Sequence, residues 1–490
     1  MLDQQTCEQA RRSRDPRFDG LFFIGVKSTG VYCRPICPAR TCKPENVVYY
    51  PSAAAAAAAG FRPCLRCRPE TAPGSPAWNG TSSTVARALN LIREGALNGH
   101  SVEALSARLG VGSRHLRRLF QIHLGASPVE IAATQRVLFA KQLLTETDQR
   151  MTEIAFAAGF GTIRRFNAAF RKIWGQSPSS VRRRHVDVDA SAAPFRCRLA
   201  LSFRPPFNWP AMLAFYRQRA IPGIESVDET RYCRSVRLGR TCGVIRLEMA
   251  PDGRMLELAM SLNSSAGLLP MVERVRRMFD LSADMAAIYS VIGCDPLLAR
   301  SIDQNRGLRL PGVWDPFEAA VRAVVGQQIS VAAARTVVGR IATLSGPAFE
   351  PDDNWPGLTH YFPSPGELLA ADSSAWGMPE KRATTIKRLA HAVDSGSVAL
   401  EVGTSLSTFI ESLTALPGIG EWTAHYVAMR GLGEPDAFPA SDLGILKALK
   451  TGDQRPDRQA IARRAGTWRP WRAYAAIYLW CLKEITHDGL

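Results

Sequence analysis

Val31-Tyr-Cys33-Arg-Pro-Ile-Cys37 and Arg62-Pro-Cys64-Leu-Arg-Cys67-Arg-Pro69 hold four of the chain's eleven cysteines in two close pairs. Proline and short polar spacing bend each pair back on itself, so four thiolates can enclose one metal ion. Soft sulfur suits tetrahedral Zn2+, and a cage of four leaves no open coordination position. By spacing alone this is a structural zinc ribbon with no chemistry. Cys42, five residues beyond Cys37, is read as a bystander because the two pairs close without it. The seven cysteines outside the quartet follow no regular spacing, which fits reduced thiols better than a disulfide framework.

The 490 residues are too many for one core, and ~100 to 200 residues per domain predicts three or four domains. Residues 1–187 carry 27 Lys and Arg against 13 Asp and Glu, which is +14 of the chain's +17. A balance so concentrated is the footprint of a nucleic-acid partner, with a solvated basic face as the plainer alternative. No run of about 18 apolar residues occurs, and Met1-Leu-Asp-Gln-Gln lacks a basic and apolar leader. The expectation is a cytoplasmic protein with no membrane contact.

Past the cysteines, the alanine run 53–59 predicts a short helix ending at Gly60, and residues 71–83 read as a Pro/Gly/Ser linker. Leu105-Ser-Ala-Arg-Leu-Gly-Val-Gly-Ser-Arg-His-Leu-Arg-Arg-Leu-Phe120 then echoes in Ala155-Phe-Ala-Ala-Gly-Phe-Gly-Thr-Ile-Arg-Arg-Phe-Asn-Ala-Ala-Phe170. Both copies read as helix, glycine turn, helix, with Ser101 and Ser113 expected as helix caps. Arg114, His115, Arg117 and Arg118 in the first copy, with Arg164, Arg165 and Asn167 in the second, are the candidates for DNA, mostly for its phosphates. Leu116, Leu119, Phe120, Phe166 and Phe170 recur at helical spacing and are expected in the core.

A second linker covers 182–194. From Phe195 the period changes: Cys197–Phe203, Val236–Leu238, Val244–Met249 and Met255–Met260 alternate like strands, the last two around a Pro251-Asp-Gly turn, and Trp209–Arg219 reads as helix. Beyond about residue 271 the chain reads mostly helical. Leu416-Pro-Gly-Ile-Gly420-Glu-Trp-Thr-Ala424 joins two helices by a Pro-Gly-x-Gly turn, where the main-chain N–H groups at Gly418 and Gly420 can receive a phosphate. An ordinary inter-helix turn is the alternative. Residues 348–362 look like a variable loop and receive no role.

Three resemblances follow from these stretches. Arg14-Asp-Pro-Arg-Phe-Asp-Gly20, Phe22–Cys37, Glu45-Asn46-Val47 and Ala58-Ala-Gly60-Phe-Arg-Pro-Cys64 resemble the N-terminal domain of the Ada family. That resemblance implies that Cys33 both ligates zinc, with Cys37, Cys64 and Cys67, and accepts a methyl group from a DNA phosphotriester. The tandem helix-turn-helix resembles the AraC family, together with Gly175-Gln-Ser-Pro178 and Gly125-Ala-Ser-Pro128. It implies promoter DNA as a partner, RNA polymerase beside it, and association with the nucleoid. Two such units in one chain remove the usual need for a dimer, so a monomer is expected.

From Phe195 to Thr486 the chain resembles the helix-hairpin-helix DNA glycosylases of the AlkA type. The resemblance rests on Pro205-Pro-Phe-Asn-Trp-Pro, Asp315-Pro-Phe-Glu, Val325-Gly-Gln-Gln-Ile-Ser330, Leu416–Gly420 and Trp468-Arg-Pro-Trp-Arg. It implies excision of alkylated bases with Asp442 as catalytic carboxylate and an aromatic base pocket of Trp422, Tyr426 and Trp480. The bifunctional relatives carry a lysine at the position of Trp422, so no lyase step is expected. Gln328 stands where the best-known member inserts an apolar wedge into DNA. None of Cys197, Cys233, Cys242, Cys294 or Cys481 lies in a Pro-Cys-His-Arg setting, so reversal of O6-methylguanine is not expected.

The expected architecture is multidomain α+β. A zinc methyl-acceptor domain spans 1–74 and an all-α tandem helix-turn-helix 82–185. A TBP-like α+β domain spans 195–300, and an all-α helix-hairpin-helix glycosylase domain 301–490.

Overall fold

The computed structural model describes residues 2–69, 72, 83–182, 195–350, 354–401, 404–450 and 457–484. Most of both expected linkers, and residues 351–353 of the variable loop, lie outside the described residues.

The cysteine region forms a four-stranded sheet. Its strands are β1 (Phe23–Val26), β2 (Val31–Cys33), β3 (Val47–Tyr50) and β4 (Arg62–Pro63), in the order β3-β1-β2-β4. β2 and β4 run parallel with Tyr32 opposite Pro63. The next residue of each strand is a cysteine, so this register alone brings Cys33 beside Cys64. The alanine run does form a helix, Ala53–Ala58, capped by the Ser52 hydroxyl.

Both helix-turn-helix copies are present. Val102–Arg108 and Ser113–Leu124 form the first, Met151–Ala157 and Ile163–Trp174 the second, and the 19-residue helix Pro128–Glu146 joins them. Ser127 and Glu130 close a capping box at its start, with Pro128 in the first turn, where its missing N–H costs nothing. Ser101 caps as expected. Ser113 does not: Gly112 takes the cap position without any side-chain bond, and Ser113 is the first helical residue. Leu116, Phe120, Phe166 and Phe170 are fully buried, and Leu119 is half-buried.

Five antiparallel strands come next: β5 (Phe195–Ser202), β6 (Glu225–Val227), β7 (Arg231–Leu238), β8 (Thr241–Met249) and β9 (Met255–Leu262). Their order is β5-β9-β8-β7-β6, and β8 and β9 form the expected hairpin. An edge strand exposes unpaired main-chain groups. At β5 the long helix covers them, since Ala200 N–H donates to Glu146 at 3.2 Å and Ala200 C=O accepts from Gln142 at 3.0 Å. Glu146 also pairs with Arg68, the residue after Cys67, at 2.5 Å. Phe166, Phe170 and Trp174 therefore share one buried cluster with Leu199, Leu258 and Trp314, while the first helix-turn-helix and the cysteine region keep separate cores.

Beyond β9 the chain is mainly helical. The sheet is fastened to helix Pro316–Val325 by a buried ion network. Arg234 on β7 pairs with Glu318 at 2.8 Å, and Arg322 bridges Glu318 and Glu225 at 2.5 Å each. Glu318 is wholly buried and Arg234 is 1% exposed, so each charge depends on its partner. The variable loop helps to cover the sheet, since its Trp355 and Leu358 pack with Cys233 and Val244. Its composition hid this, because a short irregular segment has no period from which burial can be read.

Candidate functional site

The four sulfurs of Cys33, Cys37, Cys64 and Cys67 lie within 4.8 Å of one another, close enough to share one ion. Cys33, Cys64 and Cys67 are 6 to 8% exposed, and Cys37 is the more open of the four. Hydrogen bonds from Cys33, Cys37 and Cys67 hold the Cys64 thiol far below the usual thiol range, while those to Cys37 and Cys64 push Cys33 above it. Cys42 stands outside the cluster, its carbonyl held by Arg11 at 3.0 Å.

The composition did not single out Arg34. Its guanidinium is buried against the Asp19 carboxylate, with Nε 2.8 Å from Oδ1, and its main-chain N–H donates to Cys67 Sγ at 3.3 Å. A basic residue directly after a ligand cysteine was the available signal.

On the two helix-turn-helix units, Arg114, His115, Arg117, Arg118, Arg164 and Arg165 are exposed, and Asn167 is half-buried. Arg117 meets Glu103 at 2.8 Å, an exposed pair that a phosphate could displace at little cost.

In the helical half, the turn 416–420 lies between helices Leu406–Thr414 and Glu421–Gly431. Gly418 has φ +96°, and a Cβ there would meet Thr385 Oγ1 at 2.2 Å, so glycine is required twice over. Gly420 caps the following helix without a side-chain bond, and the space beside it is open. Gln327 ties a second loop to this turn, donating to Gly418 C=O and to Thr423 Oγ1 at 3.1 Å each. Its neighbour Gln328 is exposed with φ +59°, a conformation uncommon for a residue with a side chain.

Asp442 caps helix Leu443–Ala448. Its Oδ1 accepts from the main-chain N–H of Gly444 at 2.8 Å and Ile445 at 3.1 Å, and from Trp480 Nε1 at 2.9 Å. Its Oδ2 accepts from Trp422 Nε1 at 2.9 Å. Trp422 stacks on Tyr426, one helical turn on, with ring centroids 5.3 Å apart, and Tyr426 lies 6.3 Å from Trp480. All four residues are half-buried. The structure thus brings Asp442, Trp422, Tyr426 and Trp480 into one place, although they are spread along the last part of the chain. Two supports escaped the sequence reading. Arg430 donates to the Tyr426 hydroxyl at 2.9 Å, and Gly444 admits Trp480, because a Cβ there would meet both Asp442 Oδ1 and the Trp480 ring at 2.9 Å.

Comparison with known proteins accounts for each of these parts. The metal binding domain of Ada matches residues 6–70, a helix-turn-helix domain 105–184, and the AlkA N-terminal domain 198–315. A Mycobacterium tuberculosis protein described as a probable bifunctional transcriptional activator/DNA repair enzyme AlkA is 40% identical over 484 residues, covering 98% of this chain and 97% of its own. The chain belongs to this bifunctional Ada and AlkA family. Escherichia coli DNA-3-methyladenine glycosylase 2 is 36% identical over 287 residues, 57% of this chain and 95% of that protein. The 3-methyladenine DNA glycosylase of Archaeoglobus fulgidus superposes on 59% of this chain and 98% of its own, with a TM-score of 0.51 and 21% identity, which is a likeness of fold. As members of the Ada metal-binding domain, the four clustered cysteines form a zinc site. Among the described residues, no helix is long and apolar enough to cross a membrane.

Proposed function

We propose that this protein answers DNA alkylation in two ways, with Cys33 as a methyl acceptor that adjusts transcription and Asp442 as the catalytic carboxylate of a monofunctional glycosylase. The observation that carries the second half is the carboxylate of Asp442, with one indole N–H on each oxygen, set among three aromatic rings. A base alkylated on a ring nitrogen is cationic. An electron-rich aromatic face favours it once it leaves the stack. When the bond from sugar to base breaks, its electron pair goes to the base and positive charge stays on the sugar. Asp442 stabilises that charge until water adds. The N–H donors hold the carboxylate in one orientation beforehand. Trp422, in place of an amine, leaves no nucleophile there for a Schiff base. Gly418 and Gly420 would receive the DNA phosphate, with Gln328 in the space the base has left.

At the cysteine site, Cys33 Sγ attacks the methyl carbon of a neutral methylphosphotriester. The carbon–oxygen bond breaks, and its electrons leave with the phosphodiester. Bound zinc would supply the charge that keeps the sulfurs ionised. Methylation removes negative charge from the cluster, which lessens repulsion from DNA phosphates and strengthens promoter binding through the exposed arginines of both helix-turn-helix units. Two units in one chain support a monomer on DNA in the cytoplasm at the nucleoid, and activation implies contact with RNA polymerase.

One incubation tests both halves. The full chain is mixed with methylated duplex, free bases are resolved by chromatography, and the cysteine peptides by mass spectrometry. Released methylpurine and a single added methyl on Cys33 are expected. A methyl on Cys37, the more open cysteine, would refute the acceptor assignment, and no released base would refute the glycosylase.

A further inference from the structure

Arg204 lies in the half of the chain that carries Asp442, yet its guanidinium reaches the zinc domain. It is 1% exposed. Its Nε donates to the main-chain carbonyl of Asp19 at 2.7 Å, and its Nη1 to that of Ser282 at 2.6 Å. One planar fork thus holds a carbonyl from each half. Asp19, 3% exposed, in turn holds the Arg34 guanidinium through both carboxylate oxygens. Arg34 follows Cys33 directly and ties the two cysteine pairs together. Its main-chain N–H meets Cys67 Sγ at 3.3 Å, and its Nη1 donates to the carbonyls of Cys67 at 3.0 Å and Arg68 at 3.3 Å.

Arg204 is also fixed from its own side. Arg309, wholly buried, donates to the carbonyls of Arg204 and Pro206 and, at 2.6 Å, to that of Asp280. Burial pushes Arg204 down to about 9, while Asp284 and Asp19 pull it back.

We propose that Arg204 is a positioning residue of the four-cysteine centre: it holds Asp19, Asp19 holds Arg34, and Arg34 sets the surroundings of Cys67 and Cys33. Groups that orient metal ligands from outside are worth roughly 10- to 100-fold in metal affinity or activity. Hydrogen bonds to charged donors are the stronger kind. The consequence is a zinc site whose outer contacts are completed by the excision half, so that Cys33 senses whether that half is folded against it. The inference rests on the reading of Cys33 as the methyl acceptor, but its metal readouts do not.

The test uses the full zinc-loaded chain. In Arg204→Met, zinc transfer to a colorimetric chelator should speed up ~10- to 100-fold. The sulfur-to-metal absorption of the cobalt-substituted protein should shift, and methyl uptake at Cys33 should slow. Base release should stay within about two-fold, since Arg204 does not touch that site. Arg204→Lys, which keeps the charge but not the fork, should recover part of each. A Met variant with normal base release and unchanged chelator kinetics and absorption overturns the proposal. If base release also collapses, the variant has unfolded, and hydrogen exchange in the wild type decides. Removing zinc should then speed amide exchange at 202–204 and 281–284 while helix Glu421–Gly431 keeps its protection, and unchanged exchange there overturns the proposal. A wild type that takes up no methyl refutes the Cys33 assignment alone, and the metal readouts still judge Arg204.

Discussion

Asp442→Asn removes one charge and one hydrogen bond. Asparagine is as good a helix cap as aspartate, so an amide oxygen in place of Oδ1 can keep the N–H bonds of Gly444, Ile445 and Trp480. The amide NH2 then stands where Oδ2 accepts Trp422 Nε1, and that bond is lost. One half-buried donor left unsatisfied costs about 1 to 3 kcal/mol, so melting falls by a few degrees at most. The effect on chemistry is larger. A unit charge ~4 Å from the developing positive sugar contributes about 4 kcal/mol at an effective dielectric of about 20. This corresponds to a rate loss of about 10³-fold. The assay is single-turnover release of methylated base with protein in excess over duplex, with a circular dichroism melt alongside. DNA affinity should hold or rise, because a negative charge near the phosphates has gone. A folded, DNA-binding Asn variant that keeps more than about a tenth of the wild-type rate would refute the electrostatic role of Asp442.

Three further outcomes are expected. Gly444→Ala should slow base release by at least one order of magnitude, because the new methyl displaces Asp442 Oδ1 or the Trp480 ring, while methyl uptake at Cys33 is unchanged. Glu318→Ala leaves Arg234 charged in the core without its 2.8 Å partner, a loss of about 3 to 5 kcal/mol that a lowered urea midpoint would register. Burial pushes the Asp280 carboxyl up to about 6 from an ordinary 3.8. A raised carboxyl contributes stability that is full below pH 3.8 and lost as pH rises through about 6, since the folded chain holds the proton longer. Asp280→Asn should therefore flatten this part of the profile, measured as melting temperature against pH, with Tyr474 still donating to the amide oxygen.

The order of parts along this chain was legible without coordinates because the signals are local. Cysteine spacing, a repeated helix-glycine-helix pattern, alternation around a Pro-Asp-Gly turn and a Pro-Gly-x-Gly turn each describe a few consecutive residues. Ser113 marks where local reasoning fails, since Gly112 and Ser113 are both acceptable caps and only packing chooses between them. What the sequence could not contain is the partner of each buried charge. Nothing near Arg204 in the chain points to Asp19, nothing near Glu146 to the edge of β5, and nothing near Asp442 says that Trp422 and Trp480 will each give it an N–H. Such contacts are chosen by burial, where an unsatisfied polar group is costly enough that distant segments must supply its partner. The sequence by itself thus determined the order of the parts and the family that each resembles. Only the tertiary structure decided that the zinc centre and the excision half meet across one buried arginine.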